Sequence, residues 1–134
     1  MTRLWTAYTD GASRGNPGPA SAGVYVVAPD GREFKHKQFL GEQTNNYAEY
    51  MAMILALKGL IKARAKQVLI KADSQLMVRQ MRGEYKVKNE NILPLFEEAK
   101  KYVQEFESVQ FEHIPREENK MADALANEAL DEEE

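Results

Sequence analysis

The sequence predicts an α/β domain in which a five-stranded mixed sheet is covered by helices on both faces. Three observations lead to this prediction: three strand-like segments in succession, a strongly apolar helical segment after them, and alternating helices and strands in the remainder. This order is typical of a mixed sheet between helical layers. The 134 residues, 43% of them hydrophobic, suffice for one domain. We expect that domain over residues 1–130, with an acidic tail over 131–134.

The first three strands are predicted from alternation and from turn signals. Residues 3–10 alternate between two faces, and residues 22–28 are rich in Val and Tyr. The tight turn at 29–31, Pro-Asp-Gly, joins the second strand to a third over 32–40, which forms an antiparallel hairpin. Between the first two strands, residues 11–19 hold three glycines and two prolines. They predict a loop without regular structure.

The rest of the chain alternates between helices and strands. Residues 46–62 are apolar around most of a helix circumference, which predicts a buried helix. Because helices flank the short apolar strand 67–72, we place it centrally, parallel to the first strand. The remaining predicted elements are a helix over 73–81, a helix over 90–106, a strand over 109–114 and a last helix over 119–130.

The composition excludes several classes of function. The chain has no cysteine, so disulfide scaffolds, thiol catalysis and Cys-ligated metal sites are ruled out, and a reducing cytoplasm suits it. No apolar run approaches the ~20 residues of a membrane span. The net charge of −3 argues against a polybasic nucleic-acid binder. An enzyme whose acids are concentrated in a metal site remains possible.

Four carboxylates stand where predicted elements begin or end: Asp10, Glu49, Asp73 and Asp123. Each also has a local interpretation, as a turn opener, a capping-box glutamate, an N-cap or a solvated helix position. Together they indicate a site, because ligands of open α/β sheets collect beyond the carboxyl ends of the strands. Clustered carboxylates repel one another unless cations neutralise them, and oxygen-only ligands favour Mg²⁺ or Mn²⁺. Two such ions could hydrolyse a phosphodiester.

Four motifs in order along the chain carry a resemblance to a known family. They are Thr-Asp-Gly-Ala-Ser-Arg-Gly-Asn-Pro-Gly-Pro at 9–19, Thr-Asn-Asn-Tyr-Ala-Glu at 44–49, Ala-Asp-Ser-Gln at 72–75 and Asn-Lys-Met-Ala-Asp-Ala-Leu-Ala at 119–126. The chain resembles the type 1 ribonuclease H family over nearly its whole length. The resemblance implies the strand order 3-2-1-4-5, with the first three strands antiparallel. It also implies an endonuclease that cuts the RNA strand of RNA–DNA hybrids, leaving 5′-phosphate and 3′-hydroxyl ends.

The resemblance also implies roles for individual residues. The catalytic acids, which are the ligands of two Mg²⁺ ions with Mn²⁺ as a substitute, would be Asp10, Glu49, Asp73 and Asp123. Asp10 would bridge the two ions. The residues implied to bind the hybrid, with Thr44 at a DNA phosphate, are Gly11, Ser13, Asn16, Thr44, Asn45, Asn46 and Gln75. Small amides and exposed backbone groups suit the reading of RNA 2′-hydroxyls.

The chain departs from the family pattern in two places. Residues 83–89 replace the basic, Trp-bearing protrusion of many members, and the residues that could compensate are Arg82, Lys86 and Lys88. The last loop is short and lacks the mobile histidine of other members. The auxiliary residues predicted in its place are Arg116, Glu117, Glu118 and Asn119. His113 is interpreted as a packed strand residue.

Two other functional classes remain as alternatives. One is a non-catalytic hybrid-binding module, which would gain nothing from clustered acids near phosphates. The other is an integrase-like or junction-resolving nuclease of the same broad fold, which the Asn-Asn and Asp-Ser-Gln motifs disfavour. We expect a cytoplasmic monomer whose partner is an RNA–DNA hybrid and which does not associate with a membrane.

Overall fold

Five strands and four helices build the part of the chain that the computed structural model describes, residues 3–133. The strands are β1 (Leu4–Ser13), β2 (Gly18–Val27), β3 (Glu33–Gln43), β4 (Gln67–Ala72) and β5 (Ser108–His113). The helices are α1 (Asn45–Lys62), α2 (Gln75–Met81), α3 (Leu93–Val103) and α4 (Lys120–Glu132), with a short 3₁₀ helix at Arg116–Glu118.

The strands form one mixed sheet in the order β3-β2-β1-β4-β5. β1 pairs with β2, and β2 with β3, in antiparallel register, whereas β4 runs parallel to both β1 and β5. This confirms the predicted fold class, strand order and central position of β4. The parallel pairing of β1, β4 and β5 ends at one edge of the sheet, where Thr9 is level with Ala72 and Ala72 with His113.

The loop predicted over residues 11–19 is wrong at both ends, because β1 continues through Ser13 and β2 begins at Gly18. Register pairs extend from Gly11↔Ala22 to Ser13↔Ala20. The glycine at position 11 therefore does not mark a turn. It belongs to the strand and allows a close contact with α1. Only residues 14–17 connect the two strands.

The helix boundaries differ slightly from those predicted. α2 begins at Gln75 because the hydroxyl of Ser74, rather than the carboxylate of Asp73, accepts the capping hydrogen bond from the Met77 amide. α3 begins three residues later than predicted, at Leu93. α4 continues two residues past the predicted end, so that the first two residues of the expected tail are helical. Glu134 lies outside the described residues.

The main core lies between the sheet and helices α1, α2 and α3. Its largest fully buried side chains include Tyr50, Met53 and Leu57 of α1 and Ile70 of β4. The Tyr50 hydroxyl donates a hydrogen bond to Gln80 Oε1 inside this core. Within residues 3–133, none of the helices has the length and apolar character needed to cross a bilayer.

Candidate functional site

Gly11, beside Asp10 in β1, lets helix α1 lie directly on the sheet. A Cβ at Gly11 would stand 2.2 Å from the carbonyl carbon of Ala48 and 2.3 Å from the amide nitrogen of Glu49. Such distances leave no room for a side chain. The missing side chain therefore brings the first turns of α1, and with them the carboxylate of Glu49, to the end of β1.

Gly23 does the same for helix α4. It is paired with Asp10 across β1 and β2, and a Cβ there would stand 2.1 Å from the carbonyl oxygen of Ala122. Because neighbouring strand residues point to opposite faces, Gly11 and Gly23 admit their helices from opposite sides of the sheet. Asp10 lies between these two close contacts, and Asp123 follows Ala122 in α4.

Three carboxylates converge at the carboxyl edge of the sheet. Asp10 comes from β1, Asp73 follows the neighbouring strand β4, and Glu49 reaches over from α1. One oxygen of each lies within 4.8 Å of the others. Asp10 is only 5% exposed. The structure thus brings together three of the four predicted acids at the place expected from the two parallel strands.

The charges of this cluster are costly without a counter-ion. Burial raises the pKa of Asp10 to about 10, and the charges of Glu49 and Asp73 add to the rise. Burial and the charge of Asp73 raise the pKa of Glu49 to about 8, although a hydrogen bond from the backbone N–H of Gly11 opposes the rise. Glu49 Oε2 is buried with no hydrogen-bond partner among the described residues. A divalent cation with oxygen ligands would supply both the missing partner and the compensating charge.

Asp123 lies beside this cluster, at the rim of the same cleft. A hydrogen bond between its carboxyl and that of Asp10 contributes to the raised pKa of Asp10. Its Oδ1 is 3.4 Å from Asn127 Nδ2 and 3.8 Å from a guanidinium nitrogen of Arg116. Asp123 is therefore held near the cluster but is outside the set of three closest carboxylates.

The start of α4 is fastened to β1 by Asn119. Its side-chain amide donates a hydrogen bond of 2.9 Å to the carbonyl oxygen of Thr9, and Asn119 is 1% exposed. This contact joins the residue before Asp10 to the residue before α4. Asn119 thus lies in the interior, whereas Arg116, Glu117 and Glu118 are exposed on the 3₁₀ helix.

The four acidic residues line a cleft of about 440 Å³. Three of the residues predicted to bind substrate, Gly11, Ser13 and Asn45, line it as well. Arg14 and His113 also line it, and both were missed as site residues in the sequence. The position of Arg14 inside the glycine-rich motif could have indicated it.

His113 is exposed, so its interpretation as a packed strand residue is wrong. It shares a face with the buried Phe111, but it is the last residue of β5 and lies at the edge where the cleft opens. Alternation along a strand predicts burial only where another element covers the strand. His113 is beyond that cover.

The other predicted substrate residues surround the cleft or organise its wall. Asn16 Oδ1 accepts a hydrogen bond of 3.1 Å from the backbone amide of Asn45. The Thr44 hydroxyl accepts one from the Tyr47 amide and so caps α1. Ser13 Oγ donates to the Gln43 carbonyl at 3.0 Å. Two residues remain: Asn46 is half-buried in the first turn of α1, and Gln75 is exposed at the first position of α2.

Comparisons with known proteins agree with this geometry. A family model described as reverse transcriptase-like matches residues 8–129. A "bifunctional protein" of Mycobacterium tuberculosis is 41% identical over 124 residues, which are 91% of this chain and 34% of that protein. Ribonuclease HI of Halobacterium salinarum is 40% identical over 126 residues, or 93% of this chain and 63% of that one. The chain therefore spans about a third of the length of the first relative and just under two thirds of the length of the second.

A solved structure of a similar protein contains a nucleic acid. It is a ribonuclease H1 called LC11, in complex with an RNA/DNA hybrid. Its TM-score to this chain is 0.90 at 41% sequence identity, and the match covers 96% of this chain and 97% of that one. The two proteins thus share the fold over almost their full matched lengths.

Proposed function

The chain belongs to the type 1 ribonuclease H family, and we propose that it is a metal-dependent endoribonuclease that hydrolyses the RNA strand of RNA–DNA hybrids. One observation carries the proposal: the carboxylates of Asp10, Glu49 and Asp73 lie within 4.8 Å of one another in a cleft that Ser13 and Asn45 also line. Acids for a cation and small polar groups for a nucleic acid thus share one opening. The hybrid-bound relative supports this choice of substrate.

The residues of the cluster fit two Mg²⁺ ions. Asp10, Glu49 and Asp73 would hold one ion, and Asp10 and Asp123 the other. When bound, such ions activate an attacking water and stabilise the leaving oxygen of a phosphodiester, which gives 5′-phosphate and 3′-hydroxyl ends. Glu49 Oε2, buried without a partner among the described residues, is the atom most in need of such a ligand.

The surrounding residues bind and orient the hybrid. The 2′-hydroxyl, which both donates and accepts hydrogen bonds, distinguishes RNA from DNA in the wide minor groove of an A-like duplex. The amides of Asn16, Asn45, Asn46 and Gln75 carry both donors and acceptors near the cleft. The hydrogen bond from the Asn45 amide to Asn16 keeps the loop 14–17 beside the first turn of α1.

A cleavage assay on three substrates tests this function. Labelled RNA–DNA hybrid, double-stranded RNA and duplex DNA are incubated with the protein, with Mg²⁺ or with EDTA. We expect Mg²⁺-dependent cleavage of the RNA strand of the hybrid, with 3′-hydroxyl ends that a polymerase can extend. Binding of the hybrid without cleavage would instead identify a binding module, and cleavage of duplex DNA would indicate an integrase-like nuclease.

Two matched substitutions locate the chemistry. Asp10→Asn removes one charge from the cluster, and we expect it to abolish cleavage while the protein stays folded. Asp30→Asn removes the same charge from the exposed turn before β3, where Asp30 contacts Arg32, and should leave turnover unchanged. Persistent Mg²⁺-dependent cleavage by the Asp10→Asn variant would refute the assignment of the site.

Of the predicted auxiliary residues, Arg116 is the one that the geometry favours. It lines the cleft, and its guanidinium is 3.8 Å from Asp123. We expect Arg116→Ala to lower turnover, whereas Glu117→Ala and Glu118→Ala serve as controls from the same exposed 3₁₀ helix. Unchanged turnover in all three variants would remove this 3₁₀ helix from the reaction. A single catalytic domain, a monomeric state and a cytoplasmic location remain predictions from the sequence.

A further inference from the structure

An ion pair joins the loop 14–17 to the end of α4. A guanidinium nitrogen of Arg14 is 2.6 Å from Asp131 Oδ1. The Arg14 side chain is 37% exposed, and Arg14 lines the same cleft as the acidic cluster. The guanidinium of Arg14, which lines the cleft, is therefore paired with a carboxylate of the same chain.

The backbone fixes the position of Arg14. Its amide donates a hydrogen bond of 2.9 Å to the Pro19 carbonyl, which closes the connection between β1 and β2. The turn is so tight that a Cβ at Gly18 would stand 2.3 Å from the Arg14 carbonyl oxygen. Arg14 follows Asp10 by four residues, a span of at most ~14 Å. That distance covers about four nucleotides of one strand.

The acidic residues at the end of α4 interact unfavourably with the helix dipole. The C-terminal end of a helix carries partial negative charge and favours cations, but the last turn of α4 has no basic residue. Its acids are instead paired with cations from other elements. Lys37 of β3 is 3.5 Å from Glu128 Oε2 and also contacts Glu132, while Arg14 contacts Asp131.

On the basis of the proposed function, we propose that Arg14 binds a phosphate of the hybrid near the cleavage site and that Asp131 occupies the guanidinium until the substrate arrives. Carboxylate and phosphate oxygens make the same charge-assisted hydrogen bonds to arginine. Binding exchanges one for the other: the contact between Arg14 and Asp131 breaks, and a contact between Arg14 and phosphate forms. Arg14 is a substrate-positioning residue, and Asp131 is its internal competitor.

The exchange predicts opposite effects of removing the two partners. Asp131→Asn removes one carboxylate that competes for Arg14, so KM for the hybrid should fall about two- to five-fold at low salt with kcat unchanged, as expected for an exposed ion pair. Arg14→Gln should raise KM and reduce the slope of log affinity against log salt by about 1, the signature of one lost phosphate contact. Arg14→Lys should keep most of that slope.

The experiment combines kinetics with binding. KM and kcat are measured with Mg²⁺ and a labelled hybrid at 50 and 500 mM salt. Affinity is measured by fluorescence anisotropy with each substitution added to Asp10→Asn, so that cleavage does not interfere. Glu128→Gln is the matched control, because it removes the same charge from α4 at a residue paired with Lys37 rather than Arg14. The double variant Arg14→Gln/Asp131→Asn completes the cycle.

We expect Asp131→Asn to tighten binding more than Glu128→Gln does, and this gain to disappear at high salt and in the Arg14→Gln background. Equal gains from Asp131→Asn and Glu128→Gln would reduce the effect to net charge and overturn the proposal. A gain that persists without Arg14 would overturn it as well. If the wild-type protein neither binds nor cleaves the hybrid, the proposed function fails; if it does both and Arg14→Gln changes nothing, only this inference fails.

Discussion

Substituting Gly23 by alanine should separate α4 from the sheet by a measurable amount. The added Cβ would stand 2.1 Å from the Ala122 carbonyl oxygen and 2.7 Å from the Ala126 amide nitrogen. Both are backbone atoms within one helix, so no side-chain rotation relieves the contact. Real Cβ atoms essentially never come within 3.0 Å of such neighbours. The helix must therefore retreat by about 1 Å.

If Asp123 is a catalytic metal ligand, as proposed, this retreat lowers activity, because Asp123 follows Ala122 in α4 and moves with it. A misplacement of about 1 Å in a catalytic group costs on the order of 100-fold in rate. Overpacking of this kind costs about 1–3 kcal/mol of unfolding free energy, against about 7–20 kcal/mol expected for a domain of this length. We therefore expect Gly23→Ala to stay folded and to lose roughly 100-fold in kcat on the RNA–DNA hybrid. Urea unfolding and steady-state cleavage, both at 25 °C, measure the two effects separately.

Gly59→Ala is the matched control for this substitution. Gly59 lies within α1, and a Cβ there meets no heavy atom within 4 Å. Alanine in a helix interior is favoured over glycine by about 1 kcal/mol, so the control should be more stable and equally active. Wild-type kcat and stability in Gly23→Ala would refute the reasoning that this close contact positions Asp123.

Three further predictions concern the cluster and its supports. Without metal, the stability of the protein should fall as pH rises from 5 to 9, because the folded state holds a proton on Asp10 up to a pKa of about 10 whereas the unfolded chain releases it near 4. Asp10 alone contributes a slope of about 1.4 kcal/mol per pH unit, and Glu49 steepens it below its own raised pKa of about 8. Thermal unfolding in EDTA should show this fall, Mg²⁺ should diminish it, and a flat profile in EDTA would contradict it. Asn119→Ala removes the hydrogen bond to Thr9 and should cost about 1–3 kcal/mol in urea unfolding and also lower kcat, whereas an unchanged kcat would show that Asp123 does not depend on this contact. Tyr50→Phe leaves Gln80 without its buried donor and should cost about 1–2 kcal/mol with kcat intact; equal stability would indicate that water replaces the hydroxyl.

Much of the fold could be predicted from periodicity and punctuation. The order and approximate positions of the five strands and four helices agree with the alternation and the apolar helical patterns, and β4 has the bounds predicted for it. The loop over residues 11–19 failed because glycine has two uses. In a turn it supplies unusual backbone angles, whereas at Gly11 it supplies empty space for α1. Local sequence cannot distinguish these uses, since the second depends on a helix more than thirty residues away.

The site was predictable in part for a related reason. Carboxylates that follow the last paired residues of adjacent parallel strands must meet at one edge, so the proximity of Asp10 and Asp73, which follow Thr9 and Ala72, is expected from topology. The contact between Arg14 and Asp131 could not be predicted in this way. The two residues are 117 positions apart, and one lies in a loop while the other lies at the end of a helix, so no strand pairing relates them. The exposure of His113 depends on how far along β5 other elements pack against the strand, and the alternation of residues does not contain that information.

The hydrogen bond between Thr9 and Asn119 has a consequence for folding during synthesis on the ribosome. The two residues are 110 positions apart, so the contact cannot form before Asn119, which directly precedes α4, has been synthesised. At about 5–20 residues per second, the ribosome needs roughly 5–20 s to make the intervening chain. During that interval the nascent segment carries Asp10, Glu49 and Asp73 but lacks the closing helix. If the proposed activity is correct, the site stays without Asp123, and the nuclease without activity, until α4 has been made and has packed against β1 and β2.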